Sequence, residues 1–190
     1  MERLQEQIFS ETEKLIGSYS LVRVLIYTLV SAIIIVLLLL AFSFPVDAFT
    51  ILFAIALSFV YSFLRDFFMA KYSKKMMYSY YNYLKEKKPG IELYIPLFQR
   101  TKQGTLLKKA SLYFDEGDLY LEAFNQVKSK RPEESISVKK GRDFSLDHFN
   151  LDADSKIVNY QAKLMDGEIN FSLVNITELI DLIQNRKEDL

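Results

Sequence analysis

The chain has 190 residues, half of them hydrophobic, with 24 basic and 24 acidic side chains, one histidine and no cysteine. This composition excludes global disorder, a disulfide scaffold, thiolate metal sites, a cysteine nucleophile and a multi-histidine metal centre. The zero net charge hides an uneven layout: −1 over residues 1–23, −1 over 24–64, +5 over 65–90 and −3 over 91–190.

Residues 1–20 form the first predicted element, an amphipathic helix. Leu4, Ile8, Phe9, Thr12, Leu15 and Ile16 share one face at helical spacing. Ser10-Glu11-Thr12-Glu13 has the form of a capping box, which would start the helix only there. A net negative segment is a poor ligand for anionic lipid, so it is expected to pack on the helix after the apolar region.

Residues 24–44 carry no charge and are dense in Leu, Ile and Val. As a helix this run spans ~31 Å, about the hydrocarbon thickness of a bilayer. Pro45 breaks it near Phe44, and Asp47 is placed to cap the next helix by accepting from its free amides. Residues 48–64 are again uncharged and extend to Met69 if Arg65 reaches the headgroups or pairs with Asp66. The expectation is a transmembrane hairpin over residues 21–70, with helices at about 22–44 and 47–69. The turn has no Lys or Arg, whereas residues 65–90 hold seven. The positive-inside rule then puts both termini in the cytoplasm and the Pro45 turn outside. Ala54, Ser58 and Ser62 make a small-residue stripe suited to helix packing.

Residues 71–90 continue the second helix as a basic, aromatic segment that Pro89-Gly90 ends. Met76, Met77, Tyr80, Tyr81 and Leu84 form one face, with Lys74, Lys75 and Lys85 away from it. Arg65, Lys71, Lys74, Lys75, Tyr80, Tyr81 and Lys85 are the candidate membrane-surface residues, lysines meeting lipid phosphate and rings sitting among headgroups. The alternative is that the tyrosines pack on the following domain. Nucleic acid is not an expected partner, because the patch abuts the apolar run and the downstream region is acidic.

Residues 91–190 switch to period-two alternation, a separate cytoplasmic domain. The alternation of Ile91, Leu93, Ile95 and Leu97 with Glu92, Tyr94 and Pro96 reads as a first extended segment or edge strand, and Pro96 fits an edge. Strands follow at 106–114 and 119–124, joined by the turn Asp115-Glu116-Gly117-Asp118, then a polar loop over 128–134. Further strands are predicted at 136–140, 144–149, 157–165 and 169–174, the last two flanking Asp166-Gly167. Asn175 is placed to cap a final helix whose Ile176, Leu179, Ile180 and Ile183 face the core. The fold class is α+β: a two-helix hairpin, then an antiparallel β-barrel or sandwich capped by a C-terminal helix.

The hairpin over residues 110–124, the Asp166-Gly167 hairpin and the Phe171-Ser172-Leu173-Val174-Asn175 junction into the last helix carry a resemblance. The layout resembles the pleckstrin-homology superfold, in particular the small bacterial PH-like domains that follow pairs of membrane helices. That resemblance implies a ligand-binding or scaffold domain and no catalytic activity. Eukaryotic relatives hold phosphoinositides with basic residues flanking the first hairpin. Lys108 and Lys109 stand there, but the acidic turn and Glu122 oppose a phosphorylated headgroup.

No nucleophile–base pair, dinucleotide motif or phosphate loop is present. His148, close to Asp143 and Asp147, reads as a strand or surface residue, and Asp152-x-Asp154 as a solvated turn without the Gly and Glu of a calcium loop. No cofactor and no metal site are expected. Lys128, Lys130, Arg131, Lys139, Lys140 and Arg142 form the domain's densest basic region and the candidate partner-binding set. The expected function is non-enzymatic: an inner-membrane protein presenting a PH-like domain to a protein partner, in self-immunity or as an envelope or secretion accessory. Two alternatives are an anionic-lipid sensor and a subunit of an oligomeric channel or transporter; a homo-oligomer fits either.

Overall fold

The computed structural model describes residues 1–16, 21–101, 104–128, 131–149, 156–165 and 167–185. Among them four helices and seven strands follow in order: α1 (Glu2–Ile16), α2 (Leu21–Ala41), α3 (Ala48–Lys87), β1 (Ile91–Thr101), β2 (Gly104–Asp115), β3 (Asp118–Lys128), β4 (Arg131–Lys139), β5 (Phe144–Phe149), β6 (Ile157–Leu164), β7 (Gly167–Val174) and α4 (Thr177–Asn185). They fall into two compact units, Gly17–Tyr72 and Met1–Ile16 with Ser73–Leu190. α3 contributes to both.

In the first unit, α2 and α3 are long and apolar enough to cross a membrane; the best window of α2, Val24–Ala41, has a mean hydropathy of 3.0. α2 ends at Ala41, three residues before the expected stop at Phe44. The cause is local. Ser43 takes a left-handed conformation (φ 58°), which lets Phe44 N donate to the Leu39 carbonyl (2.9 Å) and Ser43 N to Leu40 (3.0 Å). This closes the orphan carbonyls before Pro45 acts. Asp47 caps α3 as expected: its Oδ1 accepts from Thr50 N at 2.7 Å and Thr50 Oγ1 at 2.6 Å. Buried positions recur every fourth residue, Val24, Thr28 and Ala32 on α2 and Ala54, Ser58, Ser62 and Asp66 on α3. The Arg65 guanidinium lies 4.4 Å from the centre of the Tyr27 ring. Most other apolar side chains of both helices are exposed, among them Leu29, Leu37, Phe53 and Leu57.

The second unit is built on a seven-stranded sheet in the order β4-β3-β2-β1-β7-β6-β5, with each neighbouring pair antiparallel. The first tight hairpin forms where predicted, Asp115 pairing with Asp118 around Glu116 (φ 50°) and Gly117 (φ 83°). Two strand expectations are corrected. β1 is a central strand, not an edge. Pro96 is tolerated because its nitrogen, like that of Tyr94 which Gln5 engages, faces away from β2, on the side where β1 registers with β7 at Phe98–Ser172 and not at Pro96. The expected polar loop over 128–134 is mostly strand: β3 runs to Lys128, β4 starts at Arg131, and those two residues pair.

Alternation sends the strands' side chains to two cores. Leu93, Ile95, Leu112, Phe114, Leu119, Leu121, Val158, Phe171 and Leu173 line the larger, which α4 closes with Ile176, Leu179, Ile180 and Ile183. Tyr94, Tyr113 and Phe124 enter the other, completed by Met76, Met77, Tyr80 and Leu84 of α3. α1 feeds both, with Leu4 and Ile8 in the first and Ile16 in the second. It forms from Glu2 onward, not from Ser10, because its apolar face has a partner; Ser10 lies inside the helix and is not a cap, and Thr12 is buried on the face its spacing predicts.

Candidate interaction surfaces

The candidate membrane-surface residues separate by burial. Tyr80 is 1% exposed, its ring stacked on Phe124 at 4.3 Å between centroids. Tyr81 is half-buried and meets Phe9 at 5.2 Å and Tyr94 at 5.5 Å. These rings belong to the second core, the alternative the sequence had left open. Burial takes Tyr80 out of the lipid-contact set, whereas Tyr81 keeps a partly exposed face. Lys74 donates to Glu13 Oε2 at 2.6 Å, and Arg65 is engaged with Tyr27. Lys71, Lys75 and Lys85 are exposed, Lys85 standing 5.6 Å over the Tyr81 ring.

The candidate partner-binding set is divided in the same way. Lys139 donates to Asp118 Oδ2 at 2.5 Å, a bond that raises its pKa above the ordinary lysine value. Lys140 donates to the Ile183 carbonyl at 2.9 Å, near the C-terminal end of α4, where a cation suits the helix dipole. Arg142 is exposed and bonds Asp143 at 3.1 Å. Asp143 in turn accepts from Lys139 N at 2.9 Å, which with Arg142 holds its carboxyl below the usual range. Lys139 and Lys140 thus tie the end of β4 to β3 and α4, Arg142 braces the β4–β5 turn, and Arg142 alone of the three is strongly exposed. Lys130 lies outside the described residues, as do the side chains of Lys128 and Arg131. So do the Asp152-x-Asp154 turn and the side chain of His148, whose backbone is in β5. Lys108, half-buried, donates to the Asn170 carbonyl, and burial pushes its ammonium pKa down. That commitment takes it away from a headgroup.

A polar joint that the sequence reading missed fastens the end of α3 to the sheet. Glu122 on β3 is 0% exposed. Its Oε1 accepts from Ser135 Oγ and, at 3.3 Å, from Lys87 Nζ; its Oε2 has no hydrogen-bond partner among the described residues. Lys87 also donates to Ser135 at 2.9 Å. Beside it, Lys88 donates to the Tyr113 hydroxyl, which pairs with Ser137 Oγ at 2.6 Å. The Lys88 ammonium stands 4.7 Å and 4.9 Å over the stacked rings of Tyr113 and Tyr120. The tyrosines of α3 were the only sequence signal that something would cover this face of the sheet.

A second joint holds α1. The Gln5 side-chain amide donates to the Tyr94 carbonyl (2.9 Å), and its oxygen accepts from Tyr94 N (2.7 Å). Phe9 contacts the rings of Tyr78, Tyr81 and Tyr94. Glu13 accepts from Lys74 and from the Tyr78 hydroxyl (2.7 Å). Partial burial raises the Glu13 pKa, but these two bonds outweigh it and hold the carboxyl below its ordinary value. The same bond to Glu13 pushes Tyr78 up to about 12.

Among the described residues no three His, Cys, Asp or Glu side chains gather in a way that would hold a metal ion. In comparisons with known proteins, no family model, no curated protein and no solved structure matches the chain.

Proposed function

We propose that this chain is a bacterial-type inner-membrane protein, both termini cytoplasmic, that displays a PH-like β unit as a non-enzymatic protein-interaction or regulatory module. The observation that carries the reading is α3. One uninterrupted helix of 40 residues exposes apolar side chains along its first half and supplies Met76, Met77, Tyr80 and Leu84 to a β-unit core with its second. Exposed Leu52, Phe53, Leu57 and Val60 would be costly in water and are at home in acyl chains. The strand order with a closing C-terminal helix supports the PH-like assignment. Edge strand β4, with Ile136 exposed, and the β4–β5 turn with Arg142 offer recognition surfaces.

Photo-crosslinkers at Ile136 and Arg142, in membranes, test this reading. Discrete protein adducts from either position are expected; lipid adducts alone from both would overturn it. A lipid-sensing reading is favoured by exposed Lys71, Lys75 and Lys85. It requires salt-sensitive binding to anionic vesicles that is lost when the three become alanine.

A further inference from the structure

The chain treats α1 as a ligand of its own sheet. Residues 17–72, the other unit, separate α1 from the rest of the unit it completes. α1 lies against β1, β2 and β7. Gln5 meets both main-chain groups of Tyr94 as a neighbouring strand would, at a stretch of β1 whose registered pairing with β7 is Phe98 with Ser172. Leu4, Ile8 and Ile16 enter the cores, and Glu13 binds Lys74 and Tyr78 at the far end.

One position of this fit is poor. Thr12 is 0% exposed, and its Oγ1 has no hydrogen-bond partner among the described residues. A buried, unpaired hydroxyl weakens docking by about tenfold relative to an apolar side chain of the same shape.

We propose that the groove filled by α1 is a partner-binding site, and that α1 is a weakened occupant held in cis. The partner is an amphipathic helix with apolar residues at i, i+4, i+8 and i+12, a side-chain amide at i+1 and a carboxylate at i+9. These are the places of Leu4, Ile8, Thr12, Ile16, Gln5 and Glu13. A partner with valine or isoleucine at i+8 removes the Thr12 mismatch and so recovers about tenfold against the local-concentration advantage of the tethered helix. Lys74 supplies the charge that selects the carboxylate. The proposal rests on the interaction-module reading and names its ligand class and its control.

The test uses the full chain in lipid nanodiscs. The probe is a fluorescent peptide of residues 1–16 carrying Thr12→Val, titrated by anisotropy into the unaltered chain and into Gln5→Ala and Thr12→Val chains. Loss of the Gln5 bonds loosens the cis helix, so that chain is expected to bind the peptide about tenfold more tightly than the unaltered one. The Thr12→Val chain is expected to bind it about tenfold more weakly, because its own helix holds better. Equal affinity for all three, or no binding by any, overturns the proposal, as does undiminished binding of a peptide with Ile8→Asp. If the Gln5→Ala chain fails to fold, the Thr12→Val comparison decides alone. Adducts at Ile136 or Arg142 without peptide binding would sink the groove and leave the interaction-module reading standing.

Discussion

Glu122 shows how much a single side chain depends on what covers it. Its neighbours in β3, Tyr120 and Phe124, share its face, so the strand's alternation shows the facing but not the burial. Burial comes from α3, more than 30 residues away in sequence. Glu122→Ala leaves the Ser135 hydroxyl without its carboxylate acceptor, removes the longer of the two bonds of Lys87 and opens a gap in the joint, at a cost of about 1–3 kcal/mol. Most of that reflects packing and the Ser135 bond, because Lys87 is partly exposed and its charge is screened. Chemical denaturation reads the difference; an unchanged midpoint would mean that the joint adds nothing. Asp47 is the opposite case. Its capping role was legible because a cap needs only the next three residues. Ser10 was misread as the cap of a capping box for the same local reason: the sequence offers the motif, but tertiary packing extends the helix past it on the N-terminal side, while Thr12 lies on the buried face where its spacing put it.

The residues around Glu13 also set a pH dependence. Glu13 is held below its ordinary value of 4.5 when α1 is docked, so its contribution is complete above that pH and is lost as the pH falls through the docked value. Tyr78, raised from 10 to about 12, acts in the other direction: its contribution is intact below pH 10 and is lost as the pH rises through about 12. Amide exchange in α1, corrected for its intrinsic rate, should lose protection below pH 4.5. Glu13→Gln should flatten that acid limb. An unaltered profile in that variant would exclude Glu13 as the cause.

At the level of elements, α3 gives the sharpest contrast. Tyr80→Ala removes a ring stacked in the second core and should destabilise the β unit by about 3–5 kcal/mol. Lys75→Ala and Lys85→Ala, both exposed, should stay within ~0.5 kcal/mol. Equal effects in thermal unfolding would mean that the tyrosine face is not a core. The helical periodicity of residues 76–84 was plain in the sequence; which of two surroundings it faced was not, because lipid headgroups and a tyrosine-lined sheet select the same side chains. Strand existence was also legible from alternation and from the turn at Glu116-Gly117. Strand rank was not. Proline favours an edge, and that the Pro96 nitrogen falls on the sparsely paired side of β1 is fixed only once β2 and β7 are in register. The β3–β4 hairpin was hidden by its polar composition, which is ordinary for strands whose outward faces meet water.

The whole molecule joins a hairpin that exposes apolar side chains to a β unit that buries its own. The +5 block over residues 65–90 lies where α3 passes from the first to the second, and this charge layout supports the proposed orientation. Recognition is the proposed work of the β unit, with α1 as its internal competitor. All of this depends on the hairpin crossing the bilayer with the β unit inside. The chain has no cysteine, so single substitutions give clean reporters. Ala48→Cys marks the turn, and Met165→Cys marks the β unit at a site that is 89% exposed. A membrane-impermeant maleimide applied to intact cells should label the cysteine at position 48 and reach the one at 165 only after permeabilisation. Labelling at 165 but not 48 in intact cells, or at both, would contradict the account.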